Sequence, residues 1–261
     1  MPPYPHLSPA GFELAAANVG AGDVGALVLH GFSGSPTEIR GLAEHIAARG
    51  VAVHAPLLPG HGLHHSDLER SVRADWLNAA RTALVELRRR HQKVIVIGQS
   101  MGGLLALSLA AEHADLTAVI ALAPALAVSH LAQFSRISAL LPRYIPKFEE
   151  RMPDLVDPAQ LQQVWSYSHT PLRAVREVLA LAREVHRSLP RVCAPLLVVQ
   201  GARDRTVRPV SSHRVMARAG SVTKELMWLT GSGHIVAVDA DREQVWQKVG
   251  DFIGVANMQR S

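Results

Sequence analysis

The segment Lys93 to Ile97 (KVIVI) runs straight into Gly98-Gln99-Ser100-Met101-Gly102-Gly103 and then into an Ala/Leu-rich stretch ending near Glu112. No other feature restricts the architecture as tightly. An unbroken apolar run suits a strand covered on both faces, as in the middle of a parallel sheet. The glycines permit a very tight turn, and the residues beyond have helical composition. The chain must pass from a central strand to a helix with almost no loop, and a serine stands at the crest of that turn.

The rest of the chain fits a sheet built around this unit. Gly25 to His30 reads as a buried strand, and Gly31 to Ser35 as a loop. Pro36 to Arg49 follows as a helix, with Pro36 suited to its first turn and Gly50 to its stop. Val51 to Ala55 is the next strand, and Pro56 to His65 a Pro/Gly-rich loop. Trp76, Ala80, Ala83, Leu84 and Leu87 fall at helical spacing within about 71–90, and Leu116 to Leu122 is a further strand. From Pro124 to Pro190 the pattern changes to helical stretches broken by prolines, with no convincing strand. Alternation then resumes: a strand at Pro195 to Gln200, a helix near Pro209 to Ala219, a strand at Lys224 to Leu229 and a last helix from Arg242 to Gly254. The expectation is an α/β core from residues 1–123 and 191–261, with a mostly parallel sheet flanked by helices. Residues 124–190 form a helical cap inserted into it.

A serine projecting from a strained strand-to-helix turn is a candidate nucleophile, since the helix N-terminus favours developing negative charge. A serine hydroxyl is weak at neutral pH and needs a base oriented by a carboxylate. In this arrangement the chain order is serine, acid, histidine. Among fourteen histidines, His234 in Gly231-Ser232-Gly233-His234 follows the last strand on a glycine-rich loop. Asp204 in Gly201-Ala202-Arg203-Asp204 follows the strand before it, at the carboxyl end of the sheet where sites gather. Asp239 and Asp241 come after His234 and are expected to cap the last helix. An oxyanion needs preset donors. The backbone N–H of Met101 is one candidate, and that of Phe32, in His30-Gly31-Phe32-Ser33-Gly34, is the other. His30 is expected to pack the loop.

The bulk properties exclude several classes. Hydrophobic residues make up 48% of the 261 and charged residues 19%, which is globular and not disordered. The formal charge of +5 is scattered, and its densest run, Arg88-Arg89-Arg90, sits at a helix end where cations suit the macrodipole. No nucleic-acid motif accompanies it. Cys193 is the single cysteine, so no internal disulfide forms, and it is expected to pack as a small apolar side chain. There is no secretory leader and no apolar run of bilayer length, so a cytoplasmic protein without stable membrane insertion is expected. His61, His64 and His65 lack a carboxylate partner or a helix frame for metal and read as surface loop residues.

Together HGFSG, GQSMGG, GARDRTV and GSGHIVAVD resemble the bacterial carboxylesterase and monoacylglycerol lipase group of the α/β-hydrolase superfamily, over about residues 24–254. Gly60-His61-Gly62, Asp75-Trp76 and Leu141-Pro142-Arg143-Tyr144 are similar to that group as well. The resemblance implies Ser100, Asp204 and His234 as a triad, Phe32 and Met101 as oxyanion donors, and no metal or organic cofactor. It also implies a cap that shapes an acyl tunnel. Most apolar cap residues are expected on the core, with a subset, Leu126 and Ile145 among them, facing a small acyl ester. A carboxylesterase on short to medium chains is the first expectation and a monoacylglycerol lipase the second. A non-catalytic binding protein is the third, yet it would be expected to lack one of the three residues. Perhydrolysis and C–C bond hydrolysis use the same triad and stay open. Epoxide hydrolysis and dehalogenation need a carboxylate where Ser100 stands. The motifs leave open whether the chain is a homodimer.

Overall fold

The computed structural model describes residues 7–17, 24–128, 148–150 and 153–259. Its strands are β1 (Phe12–Leu14), β2 (Val24–Leu29), β3 (Ala52–Ala55), β4 (Lys93–Gln99), β5 (Ala118–Leu122), β6 (Phe148–Glu150), β7 (His169–Pro171), β8 (Leu196–Gly201) and β9 (Lys224–Leu229). The helices are α1 (Arg40–Ala48), α2 (His65–Arg70), α3 (Arg73–Arg90), α4 (Met101–Glu112), α5 (Leu172–Ser188), α6 (Val210–Arg218) and α7 (Arg242–Gln259). Seven strands form one sheet in the order β1-β3-β2-β4-β5-β8-β9. Only β1, on the edge, runs antiparallel to its neighbour.

The apolar runs become central strands because both faces are covered. β2, β5 and β8 are buried along their whole length, and β4 from Val94 onward. Alternate side chains serve opposite faces. Leu27, Leu29, Val96, Val119 and Val198 pack under α3, α4, α5 and α6, while Ala26, Val28, Ile97, Ile120 and Val199 pack under α1 and α7. Each fully buried Leu, Ile or Val contributes about 1.5–3 kcal/mol relative to exposure, which makes these strands the main source of stability. The crossover from β2 leads outward to β3, and that from β4 leads the opposite way to β5. The loops leaving the carboxyl ends of β2 and β4 therefore diverge and open a crevice at the switch point of the sheet.

Several local expectations are corrected. Two strands, β6 and β7, pair antiparallel within residues 124–190, where none was expected. Each is three residues long, too short for a periodic signal. In the same segment α5 buries Ala174, Val178, Leu181, Ala182 and Val185 in the main core, against α3 and α4. Arg73 of α3 adds ion pairs to Glu177 at 2.7 Å and Glu184 at 2.9 Å. The loop expected through His65 is cut short by α2, whose N-cap is His64. Its imidazole accepts the Ser66 N–H at 3.3 Å, and Asp67 reaches back to the His64 N–H at 3.2 Å. A histidine gives no ordinary capping signal. Cys193 is exposed, because Val192 and Ala194 take the inward positions on either side of it. The basic cluster does sit at a helix end, where Arg88 pairs with Asp115 and Arg90 with Glu13.

Gly254 lies inside α7, and apart from the backbone of its own helix and its two chain neighbours no atom of the described residues lies within 4 Å of where a Cβ would stand. Gly254→Ala is expected to stabilise the protein by about 0.5–1 kcal/mol, seen as a higher urea midpoint with an unchanged slope.

Candidate active site

The turn after β4 sets the geometry. Ser100 has φ 56° and ψ −109°, a left-handed backbone rarely adopted by a residue with a side chain. It is tolerated because the flanking backbone leaves no alternative. A Cβ on Gly98 would lie 2.0 Å from the Gly102 carbonyl oxygen, and one on Gly102 would lie 2.1 Å from that of Leu29. Both contacts are with backbone, so no side chain can move aside. The Ser100 N–H donates to the Leu122 carbonyl at 2.8 Å, which ties the turn to β5.

The geometry brings Asp204 and His234 to this serine. His234 Nε2 lies 2.8 Å from Ser100 Oγ, and His234 Nδ1 lies 2.9 Å from Asp204 Oδ2. The carboxylate can only accept, so Nδ1 carries the proton and Nε2 presents its lone pair to the hydroxyl. Asp204 is itself held by a turn after β8. Its Oδ1 accepts the N–H groups of Thr206 at 2.9 Å and Val207 at 2.7 Å, and its Oδ2 also accepts Gln200 Nε2 at 2.9 Å. Burial pushes the Asp204 carboxyl upward, but the His234 charge and these hydrogen bonds outweigh it and hold the pKa below the ordinary value. Burial likewise pulls the His234 imidazole down, while Asp204, Asp154 and Glu38 overcome that and raise it above the ordinary histidine value.

The loop carrying His234 is fixed from three sides. Its N–H donates to the Asp154 carbonyl at 2.9 Å, and its carbonyl accepts Gln99 Nε2 at 2.8 Å. Asp239 is wholly buried, and its carboxylate accepts the N–H groups of Gly233 at 2.6 Å, Val156 at 2.9 Å and Asp157 at 2.9 Å. Asp154 Oδ2 accepts Arg205 N–H at 2.8 Å and Thr206 Oγ1 at 3.0 Å. The expectation that Asp239 and Asp241 cap the last helix is therefore corrected for Asp239, while Asp241 immediately precedes that helix and its carbonyl accepts the Gln244 N–H at 3.0 Å. Asp239 clamps the loop to residues 154–157, and Asp241 accepts the Gly231 N–H at 2.8 Å and the Ser232 hydroxyl at 3.0 Å.

The loop after β2 forms the opposite wall. His30 Nδ1 donates to the Gly31 carbonyl at 2.8 Å, and its Nε2 accepts the Leu58 N–H at 3.0 Å, so it packs the loop as expected. His61 is a correction: it is buried, not on the surface, and its Nε2 accepts the Ser33 N–H at 3.2 Å. Burial pushes its pKa down to about 4, so it stays neutral. Glu38, which the motifs did not single out, is buried and accepts the Gly31 N–H. Ser35 and Glu38 have the spacing of a capping box, which would send the glutamate to the Ser35 N–H. Its carboxylate turns to Gly31 instead.

A cavity opens over Ser100 and His234. One wall is polar, with Gly31 to Gly34, Glu38 and Asp154; the other is apolar, with Val128, Val175, Val178, Leu179 and Val207. Phe32 lines it as well and packs edge-on against Trp76, with ring centroids 5.9 Å apart. Leu126 corrects another expectation. Its side chain packs in the core, and its neighbours Ala125 and Val128 reach the cavity instead. Ile145 lies outside the described residues.

A doubly wound sheet with its crevice at the switch point, and a strained serine there joined to a later aspartate and histidine, defines the α/β-hydrolase class. The chain belongs to the family described as Serine aminopeptidase, S33, whose model matches residues 25–241. It is 30% identical over 233 residues to the thermostable monoacylglycerol lipase of Bacillus sp. (strain H-257), covering 88% of this chain and 90% of that protein. It is 25% identical over 233 residues to the carboxylesterase of Bacillus subtilis (strain 168), covering 89% and 93%. A solved structure from the metagenome-derived lipolytic enzymes LipS and LipT superposes with a TM-score of 0.86 at 27% identity, covering 96% of this chain and 98% of that one. The chain is a carboxylic ester hydrolase. No helix among the described residues is long and apolar enough to cross a membrane.

Two outcomes follow from this geometry. Gly98→Ala is expected to cost more than about 4 kcal/mol, read as loss of the cooperative thermal transition. Burial raises the Glu38 pKa from 4.5 to about 7, so its charge opposes folding. The raised value favours the fold at low pH, and that advantage is lost as pH rises from the unfolded value through 7. Glu38→Gln should therefore gain stability over the wild type between pH 5 and pH 8, by on the order of 2–3 kcal/mol. Thermal melts at the two pH values check this. A gap that does not widen with pH contradicts it.

Proposed function

We propose that the chain is a serine carboxylesterase acting on short- to medium-chain acyl esters through an acyl-enzyme, with Ser100 as nucleophile, His234 as base and Asp204 as its orienting acid. The observation that carries this reading is the unbroken hydrogen-bond relay from Asp204 Oδ2 through His234 to Ser100 Oγ. His234 takes the hydroxyl proton as Oγ bonds to the ester carbonyl carbon, and the carbonyl π electrons move to oxygen. The tetrahedral adduct collapses, the C–O bond to the alcohol breaks, and His234 returns its proton to the leaving oxygen. Water then repeats the sequence on the acyl-enzyme and releases the acid.

Hydrogen-bond accounting supports Phe32 and Met101 as oxyanion donors. In the loop after β2, the N–H groups of Gly31, Ser33 and Gly34 are taken by Glu38, His61 and the Gly31 carbonyl. The Phe32 N–H alone of these four has no partner among the described residues. Met101 opens α4, so its N–H has no acceptor inside the helix. The helix N-terminus adds its dipole to the same place.

The wall formed by Val175, Val178, Leu179 and Val207 supports an apolar acyl group. The relative named monoacylglycerol lipase favours a second reading, in which longer acyl chains enter the same cavity. The reading takes residues 124–190 as the cap and the enzyme as cytoplasmic, with a homodimer as the alternative to a single chain.

Hydrolysis of p-nitrophenyl esters from about two to sixteen carbons tests the proposal, with Ser100→Ala alongside. Activity that peaks at short or middle lengths and falls by at least about 10⁴-fold in the variant is expected. A rise toward long chains, with cleavage of monoacylglycerol, moves the assignment to the lipase. Wild-type protein that neither turns over any ester nor reacts with a fluorophosphonate at Ser100 overturns the serine mechanism.

A further inference from the structure

Glu38 is a buried carboxylate in the wall of the reactive cavity, and no step of the proposed cycle uses it. Its carboxylate accepts the N–H of Gly31, the residue before Phe32. A side chain at Gly31 would meet Glu38 Oε1 at 2.9 Å and Ser100 Cβ at 3.4 Å, so the three residues are stacked with no space between them. The neighbouring Ser33 has φ 61°, so the loop is bent sharply at this point. Its other holds are His30 Nδ1 and the Gly34 N–H on the Gly31 carbonyl, the His61 imidazole on the Ser33 N–H and the Tyr167 N–H on the Ser33 carbonyl. On the amino side of Phe32, His30 holds the Gly31 carbonyl, and among the described residues Glu38 is the partner of the Gly31 N–H.

We propose that Glu38 is a positioning residue: its carboxylate fixes the Gly31 peptide so that the Phe32 N–H points at the oxyanion, and its charge, facing His234 across the cavity, sets the pH at which that histidine becomes a free base. The proposal rests on the serine mechanism above. Four ionisable groups meet here, namely His234 with Asp204, Asp154 and Glu38 around it. The two other histidines of this wall do not titrate with them. Burial, with His61 beside it, drives His30 well below the ordinary value, and burial drives His61 to about 4.

The two roles come apart in two variants. Glu38→Gln keeps an oxygen acceptor for the Gly31 N–H and removes the charge. Glu38→Ala removes both. Ester hydrolysis activity and the rate of Ser100 phosphonylation by a fluorophosphonate are followed from pH 5 to 9. In the wild type the acid limb marks His234 losing its proton. An anion nearby favours the imidazolium, so removing it lowers the histidine pKa. In Glu38→Gln the acid limb is expected to move to lower pH by about half a unit to one unit. In Glu38→Ala the limb moves the same way, and kcat falls by about 10- to 100-fold at every pH with KM within about threefold, as for a misplaced oxyanion donor.

A limb in Glu38→Gln that coincides with the wild type overturns the proposal, as does a Glu38→Ala variant with wild-type kcat. Equal losses of kcat in both variants with no movement of the limb also overturn it, since they describe a residue needed only for folding. Thermal melts identify a variant that is not folded, and Glu38→Gln then carries the test. Failure of wild-type Ser100 to react with the fluorophosphonate sinks the serine mechanism and this proposal together. A reactive wild type with an unmoved limb in Glu38→Gln sinks only the proposal.

Discussion

The contact between the backbone of Gly102 and the carbonyl of Leu29 governs the site. Because α4 begins directly against the end of β2, Ser100 has to take a left-handed backbone, with its side chain raised into the crevice. The same contact brings the loop after β2 beside the serine. Strain at one residue costs on the order of 1–3 kcal/mol. It is held by the neighbouring core, where β2, β4 and β5 are buried along nearly their whole length. The strain is local, whereas the packing that maintains it extends through both layers of helices.

The electrostatics follow from placing one imidazole among three carboxylates in a largely buried site. Asp204 is held ionised by three hydrogen bonds and by His234. Glu38 has a single backbone donor, and burial leaves it near half-charged at neutral pH. These environments separate the two carboxylates. Asp204 fixes the tautomer of the histidine, while Glu38 holds the Gly31 N–H in the loop after β2.

The central strands, the turn at Ser100 and the order of Ser100, Asp204 and His234 were legible because each has a signature independent of distant contacts. Apolar runs reveal buried strands, glycines reveal close approach, and chain order selects among fourteen histidines. The rest depended on partners far away in sequence. Asp239 resembles a helix cap from its position, and only the approach of residues 156 and 157 makes it a clamp. Glu38 carries a capping-box spacing, yet the Gly31 N–H is the acceptor's partner in three dimensions. His61 reads as a loop residue because nothing nearby announces that Ser33 will donate to it. Leu126 was expected at the cavity on composition alone, and the turn after β5 puts its neighbours there.

The loops that carry the reactive groups are held mainly by buried polar contacts, and this has a physical reason. An apolar contact tolerates sliding, because its energy depends on area and not on direction. A relay that requires Ser100 Oγ within 2.8 Å of His234 Nε2 does not. Directional bonds from Asp239, Asp154 and Gln99 fix the histidine loop at its N–H groups and its carbonyl. Through Asp239 and Asp154, residues 154–157 share the anchors of both His234 and the turn of Asp204. A shift in that segment is therefore transmitted to His234 and Asp204 together, which keeps their mutual geometry while changing their approach to Ser100.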